Sequence, residues 1–94
     1  MHRIIVLYEQ EPTDADSYAE HVEVCRLVPN SVFRHGKVFG SPLGEPAHAY
    51  YAEWEFPDAD AFTSGTRTDE FMAAGKDAHE RGLPPHSVEF AELS

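Results

Sequence analysis

The chain opens on a short apolar, β-branched run, His2-Arg-Ile-Ile-Val-Leu-Tyr8, which suits a buried strand. A polar connection, Glu9 to Asp14, follows. Thr13 or Asp14 is placed to cap a helix, with Asp16 in its favourable first turn. Tyr18, Val22 and Cys25 then recur at helical spacing, with Val28 one turn on, and Pro29-Asn30 ends the helix. A second strand is predicted over Val32–Phe39, with an ambiguous core-facing set because Arg34 and Lys37 fall on opposite faces. Ser41-Pro42-Leu43-Gly44 fits a type I turn, and a third strand is predicted over Ala47–Phe56. The even positions of that strand (His48, Tyr50, Ala52, Trp54, Phe56) are more apolar than the odd ones (Ala49, Tyr51, Glu53, Glu55). Asp58 caps a helical region that Gly65-Thr66 interrupts and Thr68 restarts, so a broken helix is predicted over Asp58–Glu80. Phe71, Gly75 and Ala78 form its inward stripe, and Gly82 with Pro84-Pro85 stops it. Ser87–Leu93 alternates as a last strand.

The order β-α-β-β-α-β is the split-βαβ, ferredoxin-like plan. It predicts an α+β fold in which a four-stranded antiparallel sheet carries both helices on one face. Strand three holds aromatic residues of both parities, Tyr50, Tyr51 and Trp54. Large groups on both faces of a sheet point to burial of the second face, and a twofold homodimer packed sheet against sheet supplies it.

Length and charge narrow the partners. The chain has 94 residues, enough for a single domain over 1–94, since two halves would each be too small to hold a core. Seven Lys plus Arg against 17 Asp plus Glu give a net charge of -10, which argues against nucleic acid or an anionic membrane as partner. A lone cysteine excludes an internal disulfide, and the run Ile4–Leu7 is too short to span a bilayer. The expectation is a soluble, cytoplasmic protein.

Specific catalytic motifs are absent: there is no nucleophile elbow, phosphate loop, dinucleotide fingerprint or zinc-protease motif. Cys25 on the apolar face of helix one reads as a buried structural thiol. The chain has 6 His (His2, His21, His35, His48, His79, His86), none paired at metal-ligand spacing, so no metal is expected. His21 lies mid-helix beside the apolar stripe, three residues after Tyr18. It is either a general acid or base, or a histidine bonded to a backbone carbonyl. Glu53 and Glu55 share one face of strand three, as an acid–base pair or as a solvated face. Tyr50 and Trp54 line an apolar cleft or form core under the helices.

These residues resemble a family. His21-Val-Glu-Val-Cys-Arg-Leu-Val-Pro29 resembles the His-x-Pro-Leu-x-x-x-x-Pro-Gly motif of the EthD-like (ethyl tert-butyl ether degradation) proteins, with Tyr18 where an aromatic often precedes that His. Phe39-Gly-Ser-Pro-Leu-Gly-Glu-Pro46 resembles the family's hairpin, and Ala52-Glu-Trp-Glu-Phe-Pro-Asp58 the end of its third strand. Thr68-Asp-Glu70 and Phe90-Ala91-Glu92 also match. Glu23 and Asn30 depart from the family's Pro and Gly, and Asp14 stands near its usual Phe. The resemblance implies a dimeric α/β barrel, a homodimer whose apolar interior takes a small apolar or aromatic molecule. No cofactor motif is present, and helix one, whose polar residues touch its own apolar stripe, places the expected pocket between itself and the sheet.

In that pocket His21 is expected to transfer a proton or hold a carbonyl or phenol oxygen, and Tyr18 to support it by hydrogen bonding. The floor is expected to be Tyr51 and Glu53 under one strand parity or, preferred for helix-side packing, Tyr50 and Trp54. Tyr51 and Glu53 then face the barrel interior, where a Glu needs a partner or a raised pKa. The relatives span cofactor-free monooxygenase, isomerase and cyclase chemistry. The alternative is a non-catalytic binding or accessory protein, and a third reading has His21, His79 or His48 ligating haem.

Overall fold

A computed structural model describes residues 1–94. The elements are β1 (His2–Tyr8), α1 (Ala15–Cys25), β2 (Val32–Lys37), β3 (Tyr50–Phe56), α2 (Ala59–Thr66), α3 (Asp69–Glu80) and β4 (His86–Glu92). Each helix starts on a side-chain cap that satisfies an otherwise unpaired amide. Asp14 accepts from the Ser17 amide, Asp58 from Ala61 and Thr68 from Phe71. The predicted break in the second helical region is the α2–α3 junction, where the Thr68 hydroxyl also donates to the Gly65 carbonyl at 2.7 Å.

The four strands pair antiparallel in the order β2-β3-β1-β4. This sheet is open. β2 and β4 are its two edges and do not pair with each other, so the expected closure into a barrel is corrected: the fold is an open ferredoxin-like βαββαβ sheet. β2 stops at Lys37 and β3 starts at Tyr50, both shorter than predicted. Gly40, Pro42 and Gly44 (φ 108) interrupt the ladder between them, and the segment is pinned at its base by the Val38 amide on Ala49 O at 3.0 Å.

The register fixes which side chains share a face. Ile4, Val6 and Tyr8 lie beside Trp54, Ala52 and Tyr50, and Phe33 lies beside Trp54. With Phe56 these residues form the buried floor on which the helices sit. α1 contributes Tyr18, Val22 and Cys25, and Val28 follows in a tighter turn beyond the helix. The indole Nε1 of Trp54 donates to Cys25 O at 2.9 Å, which ties α1 to the sheet. On α3 the fully inward residue is Ala74, one position before the predicted Gly75, and Phe71 packs edge-on against Trp54.

The opposite face carries Arg3, Ile5 and Leu7, Tyr51, Glu53 and Glu55, and Arg34, and no element of the chain covers it. α3 packs on α1, and α2 on β1 and β3, so the helix side of β4 is also thinly covered. Val88 and Phe90 there are 52% and 66% exposed.

Candidate functional site

His21 sits on the inner face of α1 and is 4% exposed. Its Nδ1–H donates to Asp77 Oδ2 of α3 at 2.7 Å. Arg81 Nε donates to the same oxygen at 2.8 Å, and the Arg81 guanidinium reaches Ser17 Oγ at 3.1 Å. Burial works to raise the Asp77 carboxyl, but the hydrogen bonds from Arg81 and His21 outweigh it and hold the group below the ordinary carboxylate value. On the other side of the ring, His21 Nε2 lies 3.3 Å from Cys25 Sγ, one helical turn on. Cys25 is fully buried, and burial, then the Asp77 charge, pushes its thiol up to about 12. It is therefore an S–H group at neutral pH and donates to Nε2. A carboxylate accepts only, so Nδ1 carries the ring hydrogen and Nε2 is the acceptor.

A cavity of about 110 Å³ lies against this imidazole, enclosed by α1, α3 and the helix face of the sheet. Cys25, Phe33, Trp54, Phe71 and Ala74 form its inner wall with His21. Its rim is Gly75 and Ala78 of α3 facing His86 and Val88 of β4, where the thin helix cover leaves a gap. The chemistry this allows is proton transfer. An imidazole fixed at Nδ1 by a carboxylate accepts a proton at Nε2 once the weak S–H donor of Cys25 turns away, and the carboxylate stabilises the imidazolium that results.

The other expected site residues divide between two further places. Tyr18 packs at a tilt against His21 with ring centroids 5.8 Å apart, but its hydroxyl is buried without any hydrogen-bond partner. Asp77, not Tyr18, supports His21. Burial, then the neighbouring Tyr8 phenol, raises Tyr18, so it stays a neutral phenol. Tyr18 and Tyr50 line a separate open cleft of about 410 Å³ between α1 and the β2–β3 side of the sheet, together with His35 and Arg26. There His35 Nδ1 and the Tyr50 hydroxyl are hydrogen-bonded at 2.8 Å.

Tyr51 and Glu53 are on the face of the sheet away from the helices, so Glu53 is not beside His21. Glu53 is nonetheless 6% exposed. The Tyr51 hydroxyl donates to it, Arg34 Nη1 donates to it at 2.8 Å, and Arg3 lies 3.8 Å away. Glu55 on the same face is held below the ordinary carboxylate value, by the Arg3 hydrogen bond before all else. The two glutamates are thus partners of arginines.

Asp77, Arg81 and His86 were not legible as site residues. Asp77 and Arg81 show the i, i+4 spacing of a helical ion pair, which is what an exposed helix face also shows. His48 is half-buried in the segment before β3, and His79 is exposed in the last turn of α3. No group of three or more His, Cys, Asp or Glu side chains converges as a metal site would need.

No family model matches the chain, and no curated protein matches it. Solved structures do. An ethyl tert-butyl ether degradation (EthD) family protein from Bacillus halodurans C-125 is 28% identical, with a TM-score of 0.76 over 100% of this chain and 99% of that one. The chain has the ferredoxin-like fold that EthD proteins share with several other families. A hydroxynitrile lyase from Passiflora edulis is 12% identical, with a TM-score of 0.74 over 99% of this chain and 93% of that one. A dimeric ferredoxin-like protein of unknown function from Thermobifida fusca YX is 14% identical, with a TM-score of 0.65 over 98% and 90%. No helix of the chain is long and apolar enough to cross a membrane.

Proposed function

We propose that the chain is a single EthD-like domain that takes up a small apolar or aromatic organic molecule and moves a proton on it with His21. The observation that carries this reading is the buried His21, backed by Asp77 at 2.7 Å and opening on a largely apolar cavity. A dry, preorganised acid–base group of this kind suits chemistry done without a cofactor. The likeness to the EthD protein and to the lyase agrees with it, although fold likeness by itself selects no reaction. Trp54 forms the floor and Tyr18 packs the back of the imidazole. The Thermobifida relative is described as dimeric, and a homodimer over the uncovered face of the sheet would enclose Tyr51 and Glu53.

The test uses proton exchange, which needs no knowledge of the natural substrate. Cyclopentanone has a ring of suitable size and protons next to its carbonyl. In deuterated buffer the protein is expected to speed their exchange, followed by NMR. His21→Ala should slow that exchange by roughly a hundredfold or more. Binding of small rings with no exchange by the wild-type protein would favour a non-catalytic binding protein.

A further inference from the structure

We propose, building on this reading of the His21 cavity, that His86 is a second proton-transferring group of the same site. It stands at a waist between the inner cavity and an outer groove. The inner cavity of about 110 Å³ approaches the ~150 Å³ apolar cavity known to admit benzene, so it holds one small ring or a short branched chain and no more. The rest of a larger molecule has to lie outside. Directly outside is an open groove of about 420 Å³ between the end of α3 and the start of β4, walled by His79, Leu83 and Pro84. Gly75, Ala78 and His86 line both spaces. Of these three, His86 alone has a polar side chain.

The ring of His86 is held in place although it is exposed. Its Nδ1–H donates to the Pro84 carbonyl at 2.9 Å, and a carbonyl accepts only, so Nε2 is the free nitrogen. The carbonyl is itself on a fixed backbone. Pro84 and Pro85 each have a locked φ, and the Glu9 amide donates to Pro85 O at 2.9 Å. The imidazole also packs on Tyr8, its partner in the strand register, with centroids 5.0 Å apart. His21 and His86 thus line one space from two different elements, α1 and β4, each anchored at Nδ1; Nε2 of His86 is free, and Nε2 of His21 holds only the weak S–H of Cys25. They differ in backing. Asp77 supports positive charge on His21, whereas the Pro84 carbonyl orients His86 without a charge.

This arrangement fits enolisation or a related tautomeric shift. The Cys25 S–H turns away from His21 Nε2, a C–H bond beside a carbonyl breaks, its proton passes to the freed Nε2 lone pair, and the electron pair moves onto the carbonyl oxygen. Protonated His86 gives its Nε2 proton to that oxygen at the waist, where a new O–H bond forms. His86 then regains a proton from solvent through the open mouth, and His21 releases one. No oxidant or cofactor enters the balance. The substrate class is a ketone or phenol-like molecule with an apolar head and a more polar outer part.

Phenol, which has a head of suitable size and one hydroxyl, serves as the probe. In long-range ¹H–¹⁵N spectra of the wild-type protein, phenol is expected to move the ring signals of both His21 and His86 and leave those of His48 in place. Movement of His21 alone overturns the proposal for His86 and leaves the reading of the inner cavity standing. Movement of neither overturns both. In the cyclopentanone assay His86→Gln is expected to slow exchange by about a hundredfold, while phenol still shifts His21. A wild-type exchange rate in His86→Gln overturns the proposal.

Discussion

At the scale of single residues, the His21 relay decides two outcomes. Cys25 is shut off from solvent, with the His21 imidazole as its polar neighbour. It has no accessible surface and its thiol sits near 12, so almost no thiolate exists at pH 8. The folded protein should leave a charged aromatic disulfide reagent uncleaved at pH 8, and the same reagent should titrate one thiol in guanidinium chloride. Rapid release of the coloured thiol from folded protein would contradict the burial. Asp77 gives the second outcome. Its carboxyl is lower in the folded chain than in the unfolded one, because Arg81 and His21 outweigh burial. Its contribution to stability is therefore present above the ordinary aspartate value of about 3.9 and is lost as pH falls through the lowered folded value. Asp77→Asn should lower Tm at pH 5, and the gap from wild type should narrow as the pH approaches 3. A gap of constant size over that range would show that the charge of Asp77 is not what stabilises the contact. His21 was legible from its place beside the helical stripe, but its partner was not. Asp77 lies 56 residues away, and the pairing exists only because α3 packs across α1.

At the scale of elements, local signals placed most boundaries because they are local in physics too. The caps Asp14, Asp58 and Thr68 bind amides three residues on, so sequence distance and contact distance agree. The parity of β3 was only favoured by the sequence, since Tyr51 breaks the alternation with Glu53 and Glu55: Tyr50, Ala52, Trp54 and Phe56 do face the helices. What sequence could not supply was the cover over each strand. The alternation in β4 reads like a buried edge, yet its helix side stays open because α3 leans on α1 instead. That gap forms the rim of the candidate cavity. Gly65 shows how closely α2 is seated. A Cβ there would meet Phe56 Cε1 at 2.6 Å and Pro29 O at 2.8 Å. Ala in place of Gly gains about 1 kcal/mol of helix propensity, but overpacking a tight contact costs about 1–3 kcal/mol. The second effect should win, because Phe56 is fully buried and one obstacle is backbone. Gly65→Ala is expected to lower the urea midpoint, and an unchanged or higher midpoint would mean that α2 shifts freely.

At the scale of the whole molecule, one face of the sheet has no cover from its own chain. Its centre is Ile5, which lies between Glu53 on β3 and Glu89 on β4 in the strand register. Around it Arg3, Arg34, Tyr51 and Glu53 form a satisfied polar network, with Arg34 and Glu53 at 2.8 Å. Covering such a network costs desolvation, which the existing pairing and hydrogen bonds offset in part. Two copies related by a twofold axis would bring Ile5 and Leu7 of each sheet together, and every contact would occur twice. A stable dimer of this kind needs a total buried area of about 2,000 Å² or more. Ile5→Lys separates assembly from folding. Within one chain the new ammonium would stand between two carboxylates, on a face open to water, so the fold should survive. Between two chains it would place cations against each other in the middle of an apolar contact. Wild-type protein is expected to scatter light as a dimer at micromolar concentration near pH 7. Ile5→Lys should scatter as a monomer with unchanged far-ultraviolet circular dichroism. A wild-type monomer, or an Ile5→Lys dimer, would remove this face as the meeting surface and leave the His21 cavity to act within a single chain.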